Sequence, residues 1–439
     1  MKNLATIYLF LVHVLYPLSV NAKSVKFNVP IEAVYFTDAA DVDGDGIDDV
    51  IISAQIDAYA QLGIKCCEVP ASLIGQIEGV RPQIYLSNYG KPKLVEMPKE
   101  AETHRAWAGT FFRMNKNLYY IHGKNGELGL PSQNRGERSQ IYRIENINGT
   151  VKFQLVATFP YLRTTASLNV RNVNNGVEII QNNYNSFTAT TTVYRSHKFL
   201  FTKNEKIIEI DPGMRLRNDI AHNEIKFSRA LDGYAITSTE VWKNNSGTRT
   251  LTKNAASYYV SKQHKIDLRP VPYDKNHAGF SSEEIIDAEG FYLLELSTEF
   301  FGHQNGGYKG SQVTAYALDK SLFSAQLCKE NCVVPKIDLP MTTQVYLRRL
   351  DLNFDGIDEV YVTGYKDKGV HIFYLESGKL RQINSKRLAL KNVGGWYGRV
   401  QLLRDIDKKC ISSISAISNF SKGKNNIDIK KSSCKKLRL

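Results

Sequence analysis

The stretch DVDGDGIDDVII at residues 41–52 decides how this chain is read, and DLNFDGIDEVYV at residues 351–362 repeats it. Both place oxygen-bearing side chains at loop positions 1, 3, 5 and 9, with glycine at position 6. The carriers are Asp41, Asp43, Asp45 and Asp49, then Asp351, Asn353, Asp355 and Glu359. Carboxylates this close repel one another unless a cation sits among them. Ca²⁺ is a hard cation that takes oxygen ligands around a tight turn, and Gly46 and Gly356 permit that turn. The flanks VYFT and VIIS, QVYL and VYVT are β-branched and aromatic, so each loop is expected to join two strands. Position 12, where a helix-flanked calcium loop carries a bidentate glutamate, is Ile52 in one copy and Val362 in the other. The competing reading is an acidic β-turn without an ion, and the second copy of the pattern weighs against it. Asp48 and Asp358, at position 8, are expected to point away from the ion as solvated turn charges.

A strand–DxDxDGxxD–strand unit resembles the FG-GAP or VCBS repeat of integrin-α-like β-propellers. The resemblance implies four-stranded blades in which the acidic loop joins the innermost strand to the next, and it implies Ca²⁺ as the ion. Weaker copies recur along the chain. LNVRNVNNGVEIIQNNY replaces the acids with Asn172, Asn174 and Asn175. A shortened turn recurs at Asp232-Gly233 and again within EEIIDAEGFYLLELS. Asp405 and Asp407 stand in VQLLRDIDKKCISSISAI without the glycine, a weak third metal loop. WAGTFFRMNKNLYYIHG has the strands alone. The centres lie roughly 54 to 72 residues apart, about the length of four short strands and their turns. After each of the first six comes a run such as PQIYLSN, SQIYRIEN or VHIFYLE, similar to the family's third strand. The expected fold is therefore all-β, a seven-bladed β-propeller spanning 23–439 as one domain. The segment VKFNVP (25–30) is expected to complete the last blade as an outer strand.

The remaining composition narrows the class. The chain has 439 residues, 42% of them hydrophobic and 23% charged, which excludes a disordered protein. Lys2 followed by an apolar run to Val20, with Val20-Asn21-Ala22 after it, reads as a signal peptide over 1–22, and an uncleaved anchor is the alternative. No later segment reaches a spanning length. The expectation is an exported protein, secreted or periplasmic, with no transmembrane anchor after cleavage. Six cysteines suit an oxidising compartment: Cys328 and Cys332 could close a small loop, Cys410 and Cys434 could staple strands, and the connectivity of Cys66-Cys67 stays open.

The net charge of +13 favours a polyanionic glycan or an envelope or extracellular protein as partner. A solvated outer strand would explain the lysines of 422–438 equally well. No nucleic-acid motif is present, and neither is a metalloprotease, hydrolase-elbow or Walker pattern. The most suggestive polar cluster contains His104, Tyr119, His122 and Arg138, with Trp107, Gln133, Asn134 and Arg135 nearby. A His or Tyr base with Arg neutralising a carboxylate is what β-elimination of a uronic acid needs. A propeller lyase or hydrolase acting on acidic polysaccharide is thus the alternative to a binding, adhesion or scaffold module. Packing of these histidines between blades is the structural explanation.

Overall fold

The computed structural model describes residues 23–65, 69–87, 92–125, 137–147, 149–161, 164–187, 192–214, 224–229, 233–237, 242–245, 248–251, 258–261, 265–267, 277–286, 291–302, 307–318, 333–339, 347–363, 370–388, 400–417, 426–437 and 439. The expected signal peptide, Cys66, Cys67, Cys328, Cys332, Gln133, Asn134 and Arg135 lie outside them. Among the described residues no helix is long and apolar enough to cross a membrane, which says nothing of strands.

The architecture is all-β and built from four-stranded antiparallel sheets, the first six with their strands adjacent in chain order. The first sheet contains Ile31–Ala40, Asp49–Ile56, Gln83–Leu86 and Lys93–Glu96. The second contains Arg105–Met114, Asn117–Asn125, Gln140–Ile147 and Thr150–Thr158, and the pair Gln55↔Arg105 joins it to the first. The third runs Thr164–Val173, Gly176–Phe187, Thr192–Thr202 and Ile207–Met214. The fourth runs Glu224–Phe227, Gly233–Thr237, Tyr258–Ser261 and Lys265–Asp267, with a separate hairpin, Trp242–Asn245 and Thr248–Leu251, inserted after its second strand. The fifth is His277–Ile286, Phe291–Gly302, Gly307–Leu318 and Val333–Leu339. The sixth is Leu347–Leu350, Glu359–Thr363, Val370–Glu376 and Lys379–Ser385. The closing sheet combines Gln401–Asp405, Cys410–Ile417 and Asn426–Lys431 with Lys23–Lys26 from the other end of the chain. The runs expected as third strands occupy that place in the first six sheets.

The core lies between sheets, which explains the sequence pattern. Strand Asp49–Ile56 is buried at every residue, so DVIISAQI reads as a continuous apolar run instead of alternating. Val50 and Ile52 pack with Leu403, Ile414 and Ile429 of the closing sheet. Ile51, between them, packs with Tyr120 and Tyr142 of the second sheet. Further clusters join the second sheet to the third through Tyr119 and Phe201, the fifth to the sixth through Leu294 and Phe373, and the sixth to the closing sheet through Tyr361 and Leu402. Polar contacts join the rest. Asn182 of the third sheet bonds both the N–H and the C=O of Ile225 in the fourth, at 3.0 Å each. Lys226 of the fourth pairs with Glu283 of the fifth at 2.8 Å. Each sheet therefore meets the next in chain order and the last meets the first, the arrangement of a β-propeller. Cys410 and Cys434 form a disulfide that ties the C-terminal segment to the closing sheet, as their spacing suggested.

Candidate functional site

The acidic loops are set by their own hydrogen bonds. In the first, the Asp41 carboxylate accepts from Gly44 N at 2.7 Å and Gly46 N at 3.1 Å. Asp43 accepts from Asp45 N, and Asp45 from Ile47 N at 2.9 Å. Asp49 opens the next strand and turns back to accept from Val42 N at 3.0 Å and from Ser87 N at 2.7 Å. The second loop repeats this position for position. Asp351 accepts from Phe354 N at 2.7 Å and Gly356 N at 3.1 Å, Asn353 from Asp355 N, Asp355 from Ile357 N, and Glu359 from Leu352 N at 2.6 Å. Gly46 and Gly356 have φ of 80° and 88°, the left-handed conformation that glycine adopts without a Cβ clash.

These bonds gather carboxylates that suit a hard cation. One oxygen each of Asp41, Asp43 and Asp49 lies within 4.8 Å of the others. Asp49 is fully buried, and burial, with Asp43 and Asp45 adding repulsion, pushes its carboxyl up to about 8. Burial also raises Asp45. Glu359 is pushed up to about 7 by burial, with Asp355 and Asp351 adding to it. A set of oxygen donors whose negative charge is disfavoured is what Ca²⁺ binding relieves, and the residues present fit that ion. The second loop has one carboxylate fewer, since Asn353 stands where the first loop has Asp43, and its amide donates to Asp355 at 2.8 Å.

Position 8 departs from the expectation of a solvated turn charge. Asp48 is fully buried and paired with Arg404 of the closing sheet, whose Nε and Nη2 stand 2.9 and 3.3 Å from its oxygens. The backbones exchange bonds there too, Asp48 N to Arg404 O at 2.9 Å and Ile406 N to Gly46 O at 2.8 Å. Asp358 pairs with Arg229 at 3.1 Å and stands 3.8 Å from Arg349. Recurrence of an acid at position 8 in both loops was the signal available in the sequence. Its partners lie too far along the chain to be read from it. In the weak third loop, Asp405 accepts from Lys408 N within its own turn, and Asp407 lies against Gly46, 3.3 Å from where a Cβ would stand.

The histidine cluster is dispersed. His122 is fully buried, its Nε2 is 2.9 Å from Ala101 O, and burial, with Lys124 adding to it, pushes its pKa down to about 3. It is therefore neutral across the physiological range. Tyr119 lies on the opposite face of the same strand, packed between the second and third sheets, and donates to Glu205 at 2.8 Å. His104 is half-buried between Glu137 Oε1 at 3.1 Å and Ile77 O at 3.3 Å, and Arg138 is exposed. The sheet separates Tyr119 from His122, and each residue of the cluster except Arg138 is held by a different partner.

No family model matches the chain, and no curated protein matches it. Among solved structures the chain is similar to Trypanosoma rangeli sialidase in complex with 2,3-difluorosialic acid, at TM-score 0.40 and 9% identity over 78% of this chain. The chain covers 56% of that sialidase. It is similar to an α-L-arabinofuranosidase from Fusarium graminearum in complex with an iminosugar inhibitor, at TM-score 0.41 and 7% identity, covering 76% of this chain and 95% of the other. A protein of unknown function from Dyadobacter fermentans gives TM-score 0.41 and 10% identity, covering 93% and 98%. Likenesses this remote leave the function to be argued from the chain's own residues.

Proposed function

We propose that the chain is an exported, seven-bladed β-propeller, stabilised by Ca²⁺ in the 41–49 and 351–359 loops, that serves as a binding, adhesion or scaffold module for a polyanionic glycan or an envelope or extracellular protein. The observation that carries the reading is the position-for-position match of the two loops, which concentrate a buried acid with three further acids in the first and two in the second at a turn between strands. Asp41, Asp43, Asp45 and Asp49 would hold one ion, and Asp351, Asn353, Asp355 and Glu359 the other. The ion supplies charge neutralisation and fixes the turn. The cycle of sheets supports the bladed ring, and a chain-end strand in the closing sheet is the kind of closure a ring needs. A disulfide supports an oxidising compartment. The excess of 57 Lys and Arg over 44 Asp and Glu supports an acidic partner.

The lyase or hydrolase reading gains no support from the geometry, since a neutral buried His122 and a Tyr119 on the other face of the strand serve the packing. A panel of acidic polysaccharides, scored for retention and for new reducing ends or unsaturated uronates, tests the proposal. Retention without product is the expected result. Product lost in His104→Ala or His122→Ala would overturn it in favour of an enzyme.

A further inference from the structure

A lysine of the closing sheet stands behind the first acidic loop. Ser87 follows the strand Gln83–Leu86 of the first sheet and is 3% exposed. Its N–H donates to Asp49 at 2.7 Å, and its carbonyl accepts from Lys431 Nζ at 3.4 Å. Lys431 ends the strand Asn426–Lys431, so its side chain crosses from one sheet to the next. It is half-buried. Burial pushes its pKa down, and the charges of Asp49, Asp45 and Asp405 oppose that. Two of those three are residues that would hold the ion. Ser87 Oγ is buried without a hydrogen-bond partner among the described residues, so an oxygen near Asp49 is left for an ion or its water. The second loop is built differently at this place. Val50 pairs with Tyr85 and Val360 with Phe373, so the ladders put Leu375 where the first sheet has Ser87. Leu375 packs with Leu294 and Phe373.

An ammonium held near carboxylates does two opposite things. With no ion it offsets their mutual repulsion and the cost of burying Asp49. With an ion present it is a like charge in a partly buried place, where salt screens it little. We infer that Lys431 sets the Ca²⁺ affinity of the first loop, balancing its acids when the loop is empty and opposing the ion when it is filled. The inference rests on the calcium part of the proposed function. It makes the seam between the first and closing sheets less dependent on the supply of ion, because the acids there keep a cation either way.

The test is calorimetric titration of Ca²⁺ into the full chain carrying Asp355→Ala, which disables the second loop. Adding Lys431→Met should tighten Ca²⁺ binding by about tenfold, and it should lower the melting temperature in chelator. Lys431→Gln, which keeps a donor for Ser87, should tighten binding as well. Lys431→Arg, which keeps the charge, should leave the dissociation constant within about twofold of its parent. A lysine that only packs would lower melting alike with and without Ca²⁺. A dissociation constant unchanged in both Lys431→Met and Lys431→Gln would overturn the inference and leave the calcium proposal standing. No uptake of Ca²⁺ by the parent or by Lys431→Met would overturn the calcium proposal for the first loop, and the inference with it.

Discussion

The loops at 41–49 and 351–359 share their internal hydrogen bonds and differ in what lies behind them. Ile47 is 4% exposed and Ile357, at the same loop position, is 39% exposed. Ile47 forms a bridge with Asp405, so the first loop is pressed onto the strand Gln401–Asp405 at one edge of the closing sheet. It also receives side-chain bonds from Asn146 and Arg113 of the second sheet. The second loop faces solvent at Asp355, Gly356 and Ile357. Its ion pair with a neighbouring sheet runs through a partly exposed acid, Asp358, although Leu352 and Phe354 pack with Leu402 and Ile411 of the closing sheet. The difference teaches that a nine-residue pattern fixes a turn, while its neighbours decide what the turn is worth to the fold.

The largest expected contrast is at position 8. Arg404→Ala leaves buried Asp48 without its countercharge, keeping only the Arg404 N–H at 2.9 Å, and should cost about 3–5 kcal/mol in urea unfolding. Arg229→Ala should cost less than about 1 kcal/mol, because Asp358 is a third exposed and water screens the pair. Equal losses would break the comparison. Ile47→Ala should cost about 2–4 kcal/mol by opening a cavity against the closing sheet. Ile357→Ala should stay within about 0.5 kcal/mol, as exposed positions do.

A finer contrast separates the glycines. Ala at either Gly46 or Gly356 must adopt a left-handed φ, at about 1–2 kcal/mol. Only at Gly46 does the new Cβ also meet the Asp407 carboxylate, at 3.3 Å, whereas nothing lies within 4 Å at Gly356. Gly46→Ala should therefore lower the melting temperature more than Gly356→Ala, and a reversed order would contradict the docking of the first loop. A control lies outside both loops. The unfolded chain protonates His122 near its ordinary value of about 6.5, and the folded chain only near 3. The folded state therefore loses stability as pH falls from about 6.5 towards 3, and none from this group above 6.5. His122→Gln should flatten that part of the profile in unfolding measurements across pH. An unchanged profile would show that the ring is not held neutral.

Much of this was legible because it is local. The side chains at positions 1, 3 and 5 each bond backbone within a few residues, so their spacing carried the turn without knowledge of the rest of the chain. The strand runs were legible for the same reason, although the outer strand expected at 25–30 forms at Lys23–Lys26, so that only Val25 and Lys26 of VKFNVP pair in the closing sheet. What the sequence concealed is non-local. Asp48 and Arg404 stand 356 positions apart, and nothing in IDDV distinguishes a solvated aspartate from a clamped one. His122 and Tyr119 looked like neighbours because they stand only three positions apart. A strand puts residues three apart on opposite faces, so the cluster that suggested catalysis divides between two inter-sheet cores.

Thermal melting in Ca²⁺ and in chelator, for the unaltered chain, Asp43→Ala and Asp355→Ala, tests the central claim most directly. At about a hundredfold excess over the dissociation constant, Ca²⁺ should stabilise the unaltered chain by about 2.7 kcal/mol per site. Each substitution should remove part of that gain and leave melting in chelator nearly unchanged, with Asp43→Ala losing more because its loop has one more carboxylate for the ion to neutralise. Equal shifts with and without chelator would contradict the claim and leave two acidic turns that bind no ion.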